Sequence, residues 1–259
     1  MPEIIILADL HLREDAPHIT QQLLALEARL LKADALYILG DFVEVWVGDD
    51  APIPPPIQPA LDLLKRLSSA GIPLFFQHGN RDFMIGRALA TRLGFNLLPD
   101  VYVTELYGHP VALLHGDTLC TDDAPYQAMR RKLRHPFIKF VLRHLPLKTR
   151  MKLASRLRER SKQATGQKSN LIMDVNTQAV SDAMQRHGVN VLIHGHTHRP
   201  AIHQEAHGLR AVLGDWEDGA VLLSIQPTGL SLERIHAERT QQLATAPWPH
   251  SEINHPAPA

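Results

Sequence analysis

"EIIILADLHL", residues 3–12, places a β-branched apolar run directly before an Asp and a His two positions apart. The run reads as a strand with a polar cluster at its carboxyl end. Behind it, "ITQQLLALEARLLKA" (19–33) has the spacing of one amphipathic helix, and "ALYILGDF" (35–42) is again strand-like. "PALDLLKRLSSAG" (59–71) reads as a helix stopped by glycine, "IPLFFQHGNRD" (72–82) as a strand, and "MIGRALATRLG" (84–94) as a helix. This β-α-β-α-β-α order predicts an α/β layered fold with largely parallel central strands.

Further on, "VYVTELYGHPVALLHGD" (101–117) reads as a hairpin turning at "YGHP", and "LRAVLGDWEDGAVLLSI" (209–225) as a second turning at "WEDG". Between them the β pattern stops. Residues 122–185 read as a helical basic and amphipathic insertion, a cap, set into a core made of 1–121 and 186–240. The Pro- and Ala-rich end, within 241–259, reads as a disordered tail.

At 259 residues and 44% hydrophobic content the chain can bury a substantial core. Its one cysteine, Cys120, cannot form an intrachain disulfide, and no stretch near residue 1 has the form of a signal peptide. A reducing cytoplasm is therefore expected. No uncharged apolar run approaches the roughly 20 residues needed to cross a bilayer.

The formal net charge of zero hides a segregation. Residues 124–172 carry fourteen of the 27 Lys and Arg but only Glu159 of the 27 Asp and Glu, which leaves 13 basic against 26 acidic elsewhere. Such a segment is expected to meet something anionic: phosphate groups, a membrane surface or nucleic acid. Within "HPFIKFVLRHLPLKTRMKLASRLRERSK" (135–162), Phe137, Ile138, Phe140, Val141, Leu142, Leu145, Leu147, Met151, Leu153 and Leu157 alternate with Lys and Arg, the pattern of a basic amphipathic surface. The apolar side could receive acyl chains or pack on the core.

Five polar clusters follow five strand-like runs: Asp9 and His11 in "ADLH", Asp41 in "GDF", Asn80 in "GNRD", His115 in "LHGD", and His196 and His198 in "HGHTHRP" (194–200). In α/β sheets ligands bind beyond the carboxyl ends of strands, where all five clusters would meet. Two Asp, one Asn and four His form an oxygen and nitrogen donor set without thiolate, suited to Mn, Fe, Zn or Co. Seven donors exceed the needs of one ion. Split between two metals sharing a bridging carboxylate, they leave room for a water, and such a pair can activate that water for phosphoryl displacement. In "HGHTHRP" the residues at i and i+2 can share a face, yet Gly195 permits a bend, so the number of ligating histidines stays open at this point.

The ordered motifs DxH, GD, GNxD, H and GHxH resemble those of the calcineurin-like metallophosphoesterases. The resemblance implies that family's fold, central β-sheets flanked by helices, and a metal site of Asp9, His11 and His198 on one ion, Asn80, His115 and His196 on the other, with Asp41 bridging. His194 then closes a strand and is structural. One position departs from the broad pattern: Arg81 follows Asn80 where most of the superfamily has His. Arginine cannot donate a proton as a general acid, but it can grip a phosphate with two parallel hydrogen bonds. A phosphate monoester leaving group, with a second pKa of about 6, needs no proton near neutrality, so Arg81 favours a pyrophosphate substrate.

"ILADLHL" (6–12), "GDFVEVWVGDD" (40–50), "QHGNRDFMIG" (77–86), "LLHGDTLCTDD" (113–123) and "HGHTHRP" are together similar to the bacterial UDP-2,3-diacylglucosamine diphosphatases of lipid A biosynthesis, up to about residue 235. That resemblance implies hydrolysis of the pyrophosphate by attack on the uridine-side phosphorus, releasing 2,3-diacylglucosamine 1-phosphate and UMP. It implies two Mn2+ ions, peripheral association with the anionic cytoplasmic face of the inner membrane, and no nucleic-acid or obligate protein partner. Asp41, Asn80, Arg81 and His196 would be catalytic. Substrate contacts would fall on Asn80, Arg81, Asp123, Ser161, Thr165, Lys168 and His196, with Thr165 departing from the Asn often found there. Asp117 is expected to orient a ligand. The alternatives are a calcineurin-like phosphodiesterase acting on nucleotides or nucleic acid, and a noncatalytic protein that binds a membrane surface or nucleic acid.

Overall fold

The computed structural model describes residues 2–167 and 174–249, and the side chains of 160–167 are not part of that description. In chain order the elements are β1 (Ile4–Leu7), α1 (Pro17–Ala25), α2 (Glu27–Leu30), β2 (Ala35–Ile38), α3 (Gln58–Ser69), β3 (Leu74–Phe76), α4 (Arg87–Leu93), β4 (Phe95–Leu97), β5 (Val101–Leu106) and β6 (His109–Leu114). After these come α5 (Ala124–Arg134), α6 (Pro136–His144), α7 (Leu147–Gln167), α8 (Thr177–His187), β7 (Val191–His194), β8 (Ala201–Glu205), β9 (Gly208–Val212), β10 (Ala220–Gln226), β11 (Gly229–Ile235) and β12 (Thr240–Ala246).

Two sheets result, one in the order β12-β11-β10-β1-β2-β3-β4 and one in the order β5-β6-β7-β9-β8. From β1 to β4 the pairing is parallel, as the alternation of strands and helices implies. The period of two in a strand explains the layering. Ile5 and Leu7 face one cluster with α1 and α3, while Ile6 and Ala8 face a second cluster that also holds Val111, Leu113, Val191 and Ile193 of the other sheet. On that second sheet Ala112, Leu114 and Leu192 point outward to Val180 and Met184 of α8. The sandwich therefore has a helical layer on each outer face and a sheet-to-sheet core between.

Four expectations are corrected. The helix foreseen over 19–33 is two, because Leu26 N–H turns to Leu23 O at 3.1 Å and tightens the chain at that point. The "WEDG" segment is no hairpin: β9 pairs with β7 and β8, whereas β10 pairs antiparallel with β1 and β11 in the other sheet. All-apolar strands carry no mark of their partner, so adjacency in sequence misleads there. α8 belongs to the core rather than to the 122–185 insertion, since it is the crossover between parallel β6 and β7. The cap itself is α5 to α7. Finally, the supposed tail begins as a strand: β12 pairs with β11, and Trp248, 9% exposed, stacks on His109 with ring centres 4.3 Å apart. Residues 250–259 lie outside the described residues.

Candidate metal centre

Each predicted donor sits just past a strand. Asp9 follows β1, Asp41 follows β2, Asn80 follows β3, His115 follows β6, and His196 and His198 follow β7. The first sheet thus contributes three loops and the second sheet two. These loops are tightly nested: a Cβ on Gly79 would stand 2.1 Å from Asp41 Oδ1, and one on Gly195 2.3 Å from Asp9 Oδ2. Six described non-glycine residues have positive φ, and five are Asp9, His11, Asp41, His196 and His198. Left-handed backbone costs an L-residue about 1–2 kcal/mol, so the surrounding structure holds these donors in place against strain.

The donor atoms converge. One ligand atom each from Asp9, His11 and His198 lies within 4.8 Å of the others, as does one each from Asp9, Asp41 and His115. Asp41 Oδ2 stands 3.7 Å from Nε2 of both His11 and His115, and so lies between the two groups, while Asp9 takes part in both. The Nε2 atoms of His11 and His198 approach to 3.3 Å. His11 Nδ1 is held by Glu44 Oε2 at 2.8 Å, His115 Nδ1 by Leu39 O at 2.8 Å, and His198 Nδ1 lies 3.5 Å from Asp215 Oδ2. With Nδ1 engaged outward, Nε2 is the nitrogen turned inward, the arrangement of metal-ligating imidazoles.

Two observations show that these residues fit divalent cations. Asp9 Oδ1 is buried without a hydrogen-bond partner. The amide oxygen of Asn80 lies 3.0 Å from His115 Nε2, 3.0 Å from His196 Nδ1 and 3.2 Å from Asp41 Oδ2, among acceptors alone. A cation would satisfy such a set; without one, the amide would turn its NH2 group inward. The electrostatics agree. Burial, reinforced by Asp41, pushes the Asp9 carboxyl up against the pull of His198 and His115. Burial also opposes ionisation of Asp41, but His115, His11 and the Arg81 N–H outweigh it and hold its pKa below the usual range. His198 is pushed up to about 9, burial being overcome by Asp215 and Asp9, whereas burial beside His115 pulls His196 down to about 4. A field that holds a proton this firmly on one imidazole is a field that attracts metal ions.

The remaining candidates are less uniform. Arg81 lines a cavity beside the centre, and its backbone N–H donates to Asp41 Oδ1 at 2.8 Å. Asp123 stands at the N-terminus of α5 and accepts the N–H of Tyr126. Ser161 and Thr165 fall on α7 where side chains are not described, and Lys168 lies outside the described residues. Asp117 has no described hydrogen bond to a metal-site histidine. It receives Tyr126 OH at 2.8 Å and Arg130 Nε at 2.6 Å, and it acts on His115 and His196 through its charge. His194 is fully buried, with Nδ1 near Gly195 O.

Sequence reading missed Glu44, Asp215 and Tyr126, whose spacing from the motifs carries no recognisable pattern. It also left Trp46, Asp49 and Asp50 without roles. Asp49 accepts the N–H groups of Gly86 and Leu89 at the start of α4 and the indole N–H of Trp46, and Asp50 pairs with Arg150 of α7. Part of what the basic segment meets is therefore the acidic core. Arg130 and Arg134 pair with Asp100, Arg150 with Asp50, and Arg158 with Glu44.

A two-sheet sandwich carrying this buried oxygen and nitrogen donor set at its strand ends defines a metal-dependent phosphoester hydrolase. The chain belongs to the calcineurin-like phosphoesterase family, whose family model matches residues 2–200. It is 48% identical over 243 residues to a UDP-2,3-diacylglucosamine hydrolase of Pseudomonas fluorescens, covering 92% of this chain and 97% of that protein. It is also 48% identical over 239 residues to a protein of the same name from Escherichia coli, covering 90% and 98%. Among solved structures the E. coli phosphoesterase Yfce aligns over 95% of this chain and 100% of its own, with a TM-score of 0.50 at 16% identity, a likeness of fold.

Proposed function

We propose that this protein hydrolyses the pyrophosphate of UDP-2,3-diacylglucosamine, releasing 2,3-diacylglucosamine 1-phosphate and UMP in lipid A biosynthesis. One observation carries the reading from this chain's own geometry. Asn80, Arg81 and Glu44 border a cavity whose other walls are largely apolar, built from Trp46, Phe83 and Met84 of the core and Met129, Leu133, Leu142, Leu153 and Leu157 of the cap. A ligand filling it has a polar end at the donor cluster and an apolar body under the helices, which describes a sugar phosphate carrying acyl chains.

Asp9, His11 and His198 would hold one divalent ion and Asn80, His115 and His196 the other, with Asp41 shared between them. Such ions, read as manganese, would supply water activation and neutralisation of charge on the reacting phosphoryl group. Arg81, at the mouth of the cavity, grips the phosphate that departs with the sugar; this leaving group needs no proton, and arginine offers none. His196, kept neutral by burial, turns its Nδ1 toward Asn80 and so toward the second ion. Burial of the acyl chains places the pyrophosphate over the donors, so binding energy far from the reacting bond is used for orientation. Asp123 is a further substrate contact in this reading, and the family resemblance adds Ser161, Thr165 and Lys168.

The exposed side of the cap supports a second element of the reading, seating on the anionic cytoplasmic face of the inner membrane. Phe137 and Phe140 are 65% and 60% exposed on α6, which also carries the exposed Arg143. No helix among the described residues is long and apolar enough to cross a membrane.

The test is hydrolysis in oxygen-18 water with manganese. UDP-2,3-diacylglucosamine should react far faster than unacylated UDP-sugars, and the label should appear in UMP. Label in the sugar phosphate would reverse the direction of attack. Equal turnover of unacylated or nucleic-acid substrates would replace this reading with a general phosphodiesterase.

A further inference from the structure

Glu44 lies three residues beyond Asp41, on the loop after β2, and it serves two parts of the molecule at once. Its side chain is 12% exposed. Oε2 is 2.8 Å from His11 Nδ1, while Oε1 is 2.9 Å from Arg158 Nε on cap helix α7 and 4.0 Å from an Arg81 nitrogen at the cavity mouth. A single shielded carboxylate therefore joins an imidazole of the donor cluster to a cation of the cap. Among the described residues α7 is also tethered to this loop by Arg150, which donates to Asp50 Oδ1 at 2.7 Å and to Val47 O at 2.9 Å.

The sharing has a physical consequence. A cation held by His11 Nε2 would make the Nδ1–H a stronger donor and would align the Glu44 carboxylate on it, leaving Oε1 on the Arg158 side. Conversely, the charge of Arg158 attracts Glu44 Oε1, in an ion pair without a hydrogen bond at Nε, and so favours the carboxylate position that holds the His11 ring in its ligating orientation. We propose that Glu44 is a positioning residue that makes occupancy of the metal centre and seating of helix α7 depend on each other. The proposal rests on the reading of His11 as a ligand. Linkage then requires reciprocity: whatever factor Arg158 contributes to metal affinity, metal contributes to the docking of α7. The cap that covers the largely apolar cavity is thereby assembled with the site beneath it.

The experiment uses the full chain and Mn2+ alone. Mn2+ affinity is measured by calorimetry and by the free-ion paramagnetic resonance signal for wild type, Arg158→Met, Arg158→Lys, Glu44→Gln, the Glu44→Gln/Arg158→Met double variant and His11→Ala. Amide hydrogen exchange across 147–159 is followed with and without Mn2+. Arg158→Met removes no ligand and lies on the cap, yet it should weaken Mn2+ binding about tenfold, within the range usual for coupled sites. Arg158→Lys should restore part of the loss, and the double variant should be no worse than Glu44→Gln. Mn2+ should slow exchange of α7 in wild type and leave it unchanged in Glu44→Gln. Wild-type Mn2+ affinity in Arg158→Met, additive losses in the double variant, or exchange of α7 indifferent to Mn2+ in wild type would each overturn the coupling. His11→Ala separates the two levels: unchanged affinity there removes the ligand reading itself, whereas a large loss there with none in Arg158→Met removes only the coupling.

Discussion

Asp9 accepts the backbone N–H of His196 on Oδ2 at 2.7 Å and turns Oδ1 to within 3.7 Å of His198 Nε2. One carboxylate thus ties the loop after β1 to the loop after β7, and so the first sheet to the second, at the point where both deliver donors. The oxygen used for structure is satisfied within the protein. The other is the buried oxygen without a partner, and it faces the centre.

Asp41→Ala should abolish turnover while sparing the fold. The variant loses the Arg81 N–H and the attraction of His11 and His115, and in partial compensation it removes a buried negative charge that repels Asp9. A loss of several kcal/mol in transition-state stabilisation corresponds to about a thousandfold or more in kcat. Metal analysis should find two ions per wild-type chain and fewer in the variant, with matching circular dichroism.

Acid should destabilise the protein through His78. Burial, with Lys139 and Arg134 nearby, pulls its pKa down to about 4 from an ordinary 6.5, and its Nε2 is 2.8 Å from Ile85 O. Above pH 6.5 the ring is neutral in both folded and unfolded chains and contributes no pH dependence. Between 6.5 and about 4 only the unfolded chain takes up the proton, so stability falls with pH, by at most about 1.4 kcal/mol per unit for this group. Urea titrations across that window should show the fall, and His78→Asn should make it shallower without abolishing it, because buried His194 and His196 act in the same direction.

Trp248→Ala tests the end of the chain. The indole packs with the core cluster between the sheets and donates to Gln226 O at 2.9 Å. Truncating a buried Trp costs about 3–5 kcal/mol, whereas a residue of a disordered tail would cost nothing. The melting temperature should drop by several degrees without change in manganese affinity.

Phe137→Ser with Phe140→Ser should weaken sedimentation with anionic vesicles, and reversing the exposed Arg143 and Lys148 to Glu should weaken it further at low salt. Each basic residue near such a surface contributes about 1 kcal/mol. Activity on detergent-dispersed substrate should persist, because neither phenylalanine lines the cavity.

Much of this was legible from the chain alone, for identifiable reasons. The βαβ half announced itself because β1, β2 and β3 are short apolar runs separated by amphipathic helices, and each predicted donor stands within three or four residues of a strand end. What could not be read depends on contacts distant in sequence. Nothing in "LGDWEDG" says that the chain crosses from one sheet to the other there, since β9 and β10 are both buried strands. Asp215 meets His198 only because of that crossing. Likewise the fourteen basic residues of the central segment gave a charge without a destination, and only the fold shows that Arg130, Arg134, Arg150 and Arg158 spend theirs on core carboxylates.

The left-handed backbone at Asp9, His11, Asp41, His196 and His198 also makes the protein vulnerable under selection for robustness. At each position an exchange to glycine relaxes the main chain and, in the same step, deletes a donor. A library screened for heat resistance or expression alone, without an assay for chemistry, would be enriched at these five positions in well-folded proteins that have lost their reaction.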